Sequence, residues 1–133
     1  MTEKKLIKWW ANIDDESLTK FIENWFAEID LGDDATSDYG GDVVLMNFLA
    51  SEKFQWLFIL KSFQLAKNED HMGTLAAGCV EHLLAKHGEN WIHKFEEVAN
   101  KNPEFAHMMC GVWQNSMSDE VWQRVQSIQN SVR

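Results

Sequence analysis

Large apolar side chains recur at steps of three and four residues between positions 18 and 29, and this spacing constrains the fold more than any other feature. The side chains are Leu18, Phe21, Ile22, Trp25, Phe26 and Ile29. Such a period places them on one broad stripe of an α-helix, which we expect over residues 16–30. Asp14 or Asp15 can cap its start and Gly32 its end. A single proline and the lack of alternating polar and β-branched residues also favour helices over strands.

The same patterning predicts further helices along the rest of the chain. They are expected over residues 4–11, from Asp42 through Leu49, and over 52–66, 72–87, 89–100, 103–110 and 119–130. Their predicted N-caps are Asp42, Ser51, Asn102 and Ser118. A strand over QWLFIL, residues 55–60, is the alternative for the fourth helix. The 133 residues fit one domain. We therefore predict an all-α single domain spanning residues 1–133, built of about eight short, antiparallel-packed helices.

Small residues in the fifth predicted helix, Ala76, Ala77 and Gly78, predict close approach of a neighbouring helix. A glycine inside a helix costs about 1 kcal/mol relative to alanine. Close packing at Gly78 is the expected compensation.

The charge of the chain is concentrated in one segment. Residues 14–42 contain ten acids and one base, Lys20, so this segment alone accounts for the net charge of −9. A connection within it, EIDLGDDATSDYGGD (residues 28–42), is predicted to form a loop over 32–41. This concentration of negative charge repels nucleic acid and anionic membranes and attracts basic partners.

The acidic segment predicts a docking surface for a basic protein. Its candidate partner-binding residues are Glu23, Glu28, Asp30, Asp33, Asp34, Asp38, Tyr39 and Asp42. Tyr39 is the expected anchor, since tyrosine is enriched in interfaces. The alternative is a solvated helix face and flexible loop that need no partner. A calcium site is a weaker alternative, because the acids do not match the spacing of a calcium loop.

The two cysteines, Cys79 and Cys110, predict buried thiols in a reducing cytosol, with one structural disulfide as the alternative. The N-terminal residues lack the apolar stretch of a signal peptide, and the longest apolar run is Trp56–Leu60. We therefore expect a cytoplasmic protein. The lysines near Trp9 and Trp10 resemble a membrane-surface anchor, but the tryptophans are expected to pack on the core instead.

The histidines lack the spacing of a zinc site, and no phosphate-binding loop or nucleophile motif occurs. The neighbouring residues Glu81 and His82 could in principle serve acid–base chemistry, yet adjacent helix positions point about 100° apart. We expect Glu81 to hydrogen-bond a neighbouring helix. The sequence therefore predicts a protein that is not an enzyme and has no metal or cofactor.

The stretch LAAGCVEHLLAKHG, residues 75–88, resembles the core pattern of a family of short, uncharacterised bacterial helical domains. The likeness covers about residues 72–125. It continues through Trp91-Ile92, Glu96, Asn102-Pro103, Phe105, Gly111-Val112-Trp113 and Trp122. Members often carry proline after the glycine of this pattern, where this chain has Cys79. The resemblance implies an all-α fold, and it does not imply any particular activity. By analogy, domains of this size occur among immunity proteins that neutralise toxins in bacterial competition.

These observations lead to the hypothesis of an immunity protein, monomeric when free, that blocks a basic, nuclease-type toxin with its acidic helix–loop surface. No nucleic acid or membrane partner is expected. The alternative is a helical scaffold or assembly subunit with an apolar surface near Trp113, Met117 and Trp122. A third possibility is a small-ligand or catalytic pocket holding Glu81 and His82.

Overall fold

The computed structural model describes residues 2–133, and no strand occurs among them. The helices are α1 Glu3–Asn12, α2 Asp15–Leu31, a 3₁₀ helix Gly32–Asp34, α3 Tyr39–Leu49, α4 Glu52–Leu65, α5 Glu69–Leu75, a π-helical turn Ala76–Val80, α6 Glu81–Lys101, α7 Pro103–Met109 and α8 Asp119–Asn130. The all-α prediction is confirmed, and the stretch QWLFIL lies within α4 rather than in a strand.

The chain forms two compact units, an N-terminal unit up to His71 and a C-terminal unit from Met72 onward, with the boundary inside α5. In the N-terminal unit, α2 contacts α3 and α4, and α1 contacts α3. In the C-terminal unit, α6, α7 and α8 contact one another. A single domain over residues 1–133 stays a prediction.

The apolar stripe of α2 is buried as predicted, with Leu18, Phe21, Ile22, Trp25 and Phe26 at its centre. Edge-to-face aromatic contacts surround it. The ring of Phe21 lies 5.2 Å from that of Trp10 and 6.3 Å from that of Phe58. Trp10 is only 1 % exposed, whereas Trp9 is 41 % exposed. Trp10 is therefore part of the core as predicted, and Trp9 packs against the edge of the core with its ring 4.4 Å from that of Trp10.

Close packing in the C-terminal unit occurs at glycines other than the one the sequence indicated. A Cβ at Gly78 would meet nothing within 4 Å, so the prediction is wrong for that residue, whereas Ala76 of the same stretch is closely approached: a Cβ at Gly111 would lie 3.1 Å from that of Ala76. A Cβ at Gly88 would instead lie 3.0 Å from both methyl groups of Val121 on α8. The reason is local geometry, because a π-helical turn over Ala76–Val80 leaves Gly78 exposed while Ala76 faces the core.

The predicted boundaries near the middle of the chain also need correction. The fifth helix begins at Glu69 rather than at residue 72. It continues through the π-helical turn into α6. The predicted break at Gly88 takes the form of a kink, with His87 at φ −137° and ψ 28° inside α6. Asp14, Ser51, Asn102 and Ser118 cap their helices as expected.

Candidate partner-binding surface

The predicted site residues, here called the acidic surface, come from the C-terminal half of α2, the 3₁₀ helix, and the N-cap and first turn of α3. They all lie in the N-terminal unit. The segment 32–41, predicted as a loop, contains the 3₁₀ helix and the start of α3 at Tyr39. The structure separates these residues into two groups, carboxylates that hold the fold and carboxylates without partners.

Glu28 belongs to the first group, because its carboxylate closes the N-terminus of α3. Oε2 accepts a hydrogen bond from the backbone N–H of Tyr39 at 2.7 Å and from the hydroxyl of Ser37 at 2.6 Å. Oε1 accepts one from the N–H of Gly40 at 2.8 Å. Although partial burial raises the pKa of Glu28, these three hydrogen bonds together hold it below its ordinary value. A carboxylate at this end of a helix also meets the dipole favourably.

Asp38 completes the same cap. It is the N-cap residue of α3, and its Oδ1 accepts from the N–H of Gly41 at 3.0 Å. The prediction that Asp42 caps this helix is therefore wrong, since α3 begins three residues earlier. The carboxylates also explain the glycine pair. A Cβ at Gly41 would lie 2.5 Å from Asp38 Oδ2, and one at Gly40 would lie 3.3 Å from Glu28 Oε1.

Asp30 is engaged as well, although half of its side chain is exposed. Its Oδ1 lies 2.8 Å from Nε2 of His71 and accepts from Asn68 Nδ2 at 3.1 Å. His71 Nδ1 accepts from the N–H of Lys67, so the proton of the neutral ring lies on Nε2 and points to Asp30. The Asn68 hydrogen bond first, and then that of His71, hold the pKa of Asp30 below its ordinary value against the opposing effect of burial.

The second group consists of Glu23, Asp33, Asp34 and Asp42, which are all exposed or half-exposed. Within residues 2–133, none of these four carboxylates has a hydrogen bond or an ion pair. Among the ten acids of residues 14–42, one pairs with a lysine and one with a histidine within the described part of the chain. Asp15 lies 2.5 Å from Lys61 Nζ, and Asp30 faces His71. Most of the concentrated negative charge therefore lacks an internal counterion in the described part of the chain.

Sequence reasoning missed the apolar part of this surface. Val44, Leu45 and Phe48 on α3 are exposed, Phe48 to 65 %. They lie at steps of one, three and four along the helix, so they share one side of it. The acidic Asp42 precedes them by two residues. The sequence signal that could have found them is the near-continuous apolar character of α3, which is more than one buried stripe needs.

A groove of about 360 Å³ opens between α1 and α3, next to these residues. Its lining includes Trp9 and Trp10 from α1, Phe21 from α2, and Tyr39, Asp42 and Leu45 from α3. Tyr39 lies with its ring edge-on to that of Phe21 at 5.5 Å. The predicted anchor residue is therefore part of the groove wall rather than a free side chain.

Glu81, which the sequence placed with His82 in a candidate ligand or catalytic pocket, has a structural role. Glu81 is buried, and its carboxylate accepts hydrogen bonds from the side chain of Asn115 and from the backbone N–H of Trp113. Burial raises the pKa of Glu81 despite these two bonds. Glu81 thus holds the segment between α7 and α8, whose Asn115 has a positive φ of 45°, rather than a neighbouring helix as predicted.

The apolar surface suggested for a scaffold is smaller than expected. Met117 is buried and Trp122 is half-buried, so only Trp113, at 71 % exposure, remains open. Cys79 is buried and Cys110 is half-buried, and the two do not form the disulfide that was the alternative.

Two further classes of site are absent from residues 2–133. No group of three or more histidine, cysteine or carboxylate side chains is arranged to hold a metal ion there. No helix in the same range combines the length and apolar character that crossing a membrane requires.

A family model described as "Family of unknown function (DUF6869)" matches residues 27–132. The match includes the stretch LAAGCVEHLLAKHG and most of the acidic surface, so the resemblance to an uncharacterised domain family is confirmed and extends over most of the chain. No curated protein and no solved structure matches the chain.

Proposed function

This chain belongs to the family of unknown function DUF6869, and from its own charge and geometry we propose that it is a non-catalytic binding protein for a basic protein partner. The observation that carries the proposal is the set of unpaired carboxylates Glu23, Asp33, Asp34 and Asp42 on one unit. Unopposed like charges repel one another and destabilise a compact state. A partner with lysines and arginines would relieve that repulsion.

The mixed chemistry of the surface supports a protein partner. Stable interfaces combine an apolar centre with a polar rim. Here Leu45 and Phe48 on α3 supply exposed apolar area, and Asp42, which lines the same groove as Leu45, supplies charge beside it. Carboxylates at an interface rim raise the association rate by electrostatic steering, while the apolar contacts slow dissociation.

The finer proposal is an immunity protein that acts in the cytoplasm on a nuclease-type toxin and is monomeric when free. Nucleases carry basic clefts that bind phosphate. An acidic surface on a small helical domain can occupy such a cleft in place of the substrate. The complex of the nuclease barnase with its inhibitor barstar follows the same logic, because close charge pairs couple strongly across that interface.

The test uses the protein encoded by the reading frame next to the one for this chain, purified alone and with this chain. The binding variant is Asp33→Lys, Asp34→Lys and Asp42→Lys together. Asp38 is left intact because it caps α3. A matched control is Glu89→Lys, Glu97→Lys and Glu104→Lys in the C-terminal unit. Like the three aspartates, these glutamates lie at the surface, and Glu104 lies in a first helical turn as Asp42 does.

The binding variant should weaken affinity at least about tenfold, mainly through slower association, and the control variant should stay within about threefold. Association with the wild-type chain should slow steeply between low and physiological salt. Equal losses of affinity in the two variants would mean that only the net charge of the chain matters, and this would contradict the assigned surface. A neighbouring product that is not basic, or that does not bind, would overturn the immunity proposal.

The exposure of Trp113 favours one second candidate, a helical assembly subunit that self-associates through the segment between α7 and α8. Sedimentation over a hundredfold range of concentration distinguishes the two candidates. A stable oligomer that Trp113→Ser converts to monomer would favour the assembly subunit. A monomer throughout that range would exclude it.

A further inference from the structure

We propose that the groove between α1 and α3 receives an arginine side chain of the basic partner, with its guanidinium against aromatic rings and Asp42. This inference rests on the proposed function and deepens it, because it names the side chain that the acidic surface takes up. The groove lies entirely within the N-terminal unit.

The aromatic walls of the groove are fixed by edge-to-face contacts. The ring of Trp9 lies 4.4 Å from that of Trp10 and 6.1 Å from that of Phe21. The ring of Phe21 in turn lies 5.5 Å from that of Tyr39. Trp10 and Phe21 are buried and form the base, while Trp9 and Tyr39 retain accessible surface. These rings hold one another in place along the groove, and a cation binds an aromatic ring within about 6 Å of its centroid.

The charge around the groove favours a cationic occupant. Asp42 lines it and has no partner within residues 2–133. The N-terminus of α3 would by itself repel a cation. That effect is offset here, because Glu28 and Asp38 accept hydrogen bonds from the first three N–H groups of the helix. The lysines of α1 do not line the groove.

Arginine fits this combination better than other side chains. Its planar guanidinium stacks on aromatic faces, is weakly hydrated, and forms a fork that matches a carboxylate such as Asp42. Its three methylene groups would cover the apolar side chains of the lining, including Leu45. A purely apolar occupant would leave Asp42 unpaired at the edge of a dry contact, which costs free energy.

The test is a titration of the full chain with N-acetyl-arginine amide up to about 50 mM, followed by NMR of the tryptophan indole N–H groups. The matched probe is N-acetyl-citrulline amide, which has the same shape without the charge. The Trp9 indole signal, assigned with Trp9→Leu, should shift with the arginine probe at a dissociation constant on the order of millimolar. The Trp113 signal from the C-terminal unit should not move. Asp42→Asn should weaken the arginine probe about threefold or more.

An equal response to citrulline, or no Trp9 shift at the highest concentration, overturns the inference. This failure is distinguishable from failure of the proposed function. If reversal of the acidic surface abolishes partner binding while the arginine probe leaves Trp9 unmoved, the docking surface stands without the arginine groove. If the probe binds as described while Trp9→Leu leaves the affinity of the basic partner unchanged, the groove exists but does not take the partner's arginine, and the inference is contradicted.

Discussion

Replacing Glu28 by glutamine should destabilise the protein, although the side chain keeps its size. Glutamine offers one acceptor oxygen where the carboxylate accepts three hydrogen bonds, two of them from the helix N-terminus. It also removes a negative charge beside the positive end of α3. Hydrogen bonds to a charged group contribute about 1.5–3 kcal/mol and a lost cap about 0.5–2 kcal/mol. Because glutamine retains part of the network, we expect a loss of about 1–2 kcal/mol.

The measurement is urea unfolding combined with amide hydrogen exchange. With a urea slope of about 2 kcal/mol/M, the unfolding midpoint should fall by roughly 0.5–1 M. Protection should decrease most for the amides of α3, Tyr39–Leu49, because the lost cap lies at its start. The matched control is Glu23→Gln on the same helix. Glu23 lies at the surface and has no hydrogen bond within residues 2–133, so its replacement should stay within about 0.5 kcal/mol.

The same pair of variants makes a pH prediction with a definite sign. Because the pKa of Glu28 in the folded protein lies below its ordinary value of 4.5, the carboxylate stabilises the fold above that value. This stabilisation is lost as the pH falls through the folded pKa. The difference between wild type and Glu28→Gln should therefore be full at pH 7 and shrink below about pH 4.5. Equal effects of Glu28→Gln and Glu23→Gln, or a difference independent of pH, would refute the assigned cap.

Three further changes test the C-terminal unit. Gly88→Ala should cost about 1–3 kcal/mol in urea unfolding, although alanine is the better helix former, because its Cβ would lie 3.0 Å from both Val121 methyl groups. Gly78→Ala should instead stabilise by about 0.5–1 kcal/mol, since the position is open, and a loss there would contradict the described turn. Glu81→Gln should remove the contribution of this carboxyl group to the pH dependence of the free energy of unfolding. With its folded pKa raised, wild-type Glu81 favours the folded state most below the ordinary value of 4.5, and this contribution is lost as the pH rises through the folded pKa.

The helices themselves were predictable because their signals are local. The apolar steps of α2, the caps Ser51 and Ser118, and the Asn102-Pro103 start of α7 all involve residues within a few turns of one another. The predicted start of α3 was wrong because two nearby aspartates can each act as an N-cap. Both Asp38 and Asp42 can cap a helix, and the choice of Asp38 follows from the position of Glu28. The π-helical turn that exposes Gly78 has no comparable sequence signal.

The candidate site was predictable only as a concentration of charge. The sequence places ten acids within residues 14–42 and determines the sign of any partner they attract. It does not reveal that Glu28 and Asp38 hold α3, or that Asp30 holds His71 across 41 positions of the chain. Those roles depend on which helix faces meet.

By itself, the sequence determined an all-helical chain with its net negative charge in one segment, since periodicity and composition act through near neighbours and simple addition. The tertiary structure alone decided which carboxylates stabilise the fold and which stay unpaired. It also decided that rings from α1, α2 and α3 form one groove beside Asp42. A hydrogen bond or a ring contact between distant residues requires a specific distance and orientation, and only the packing of the helices sets these.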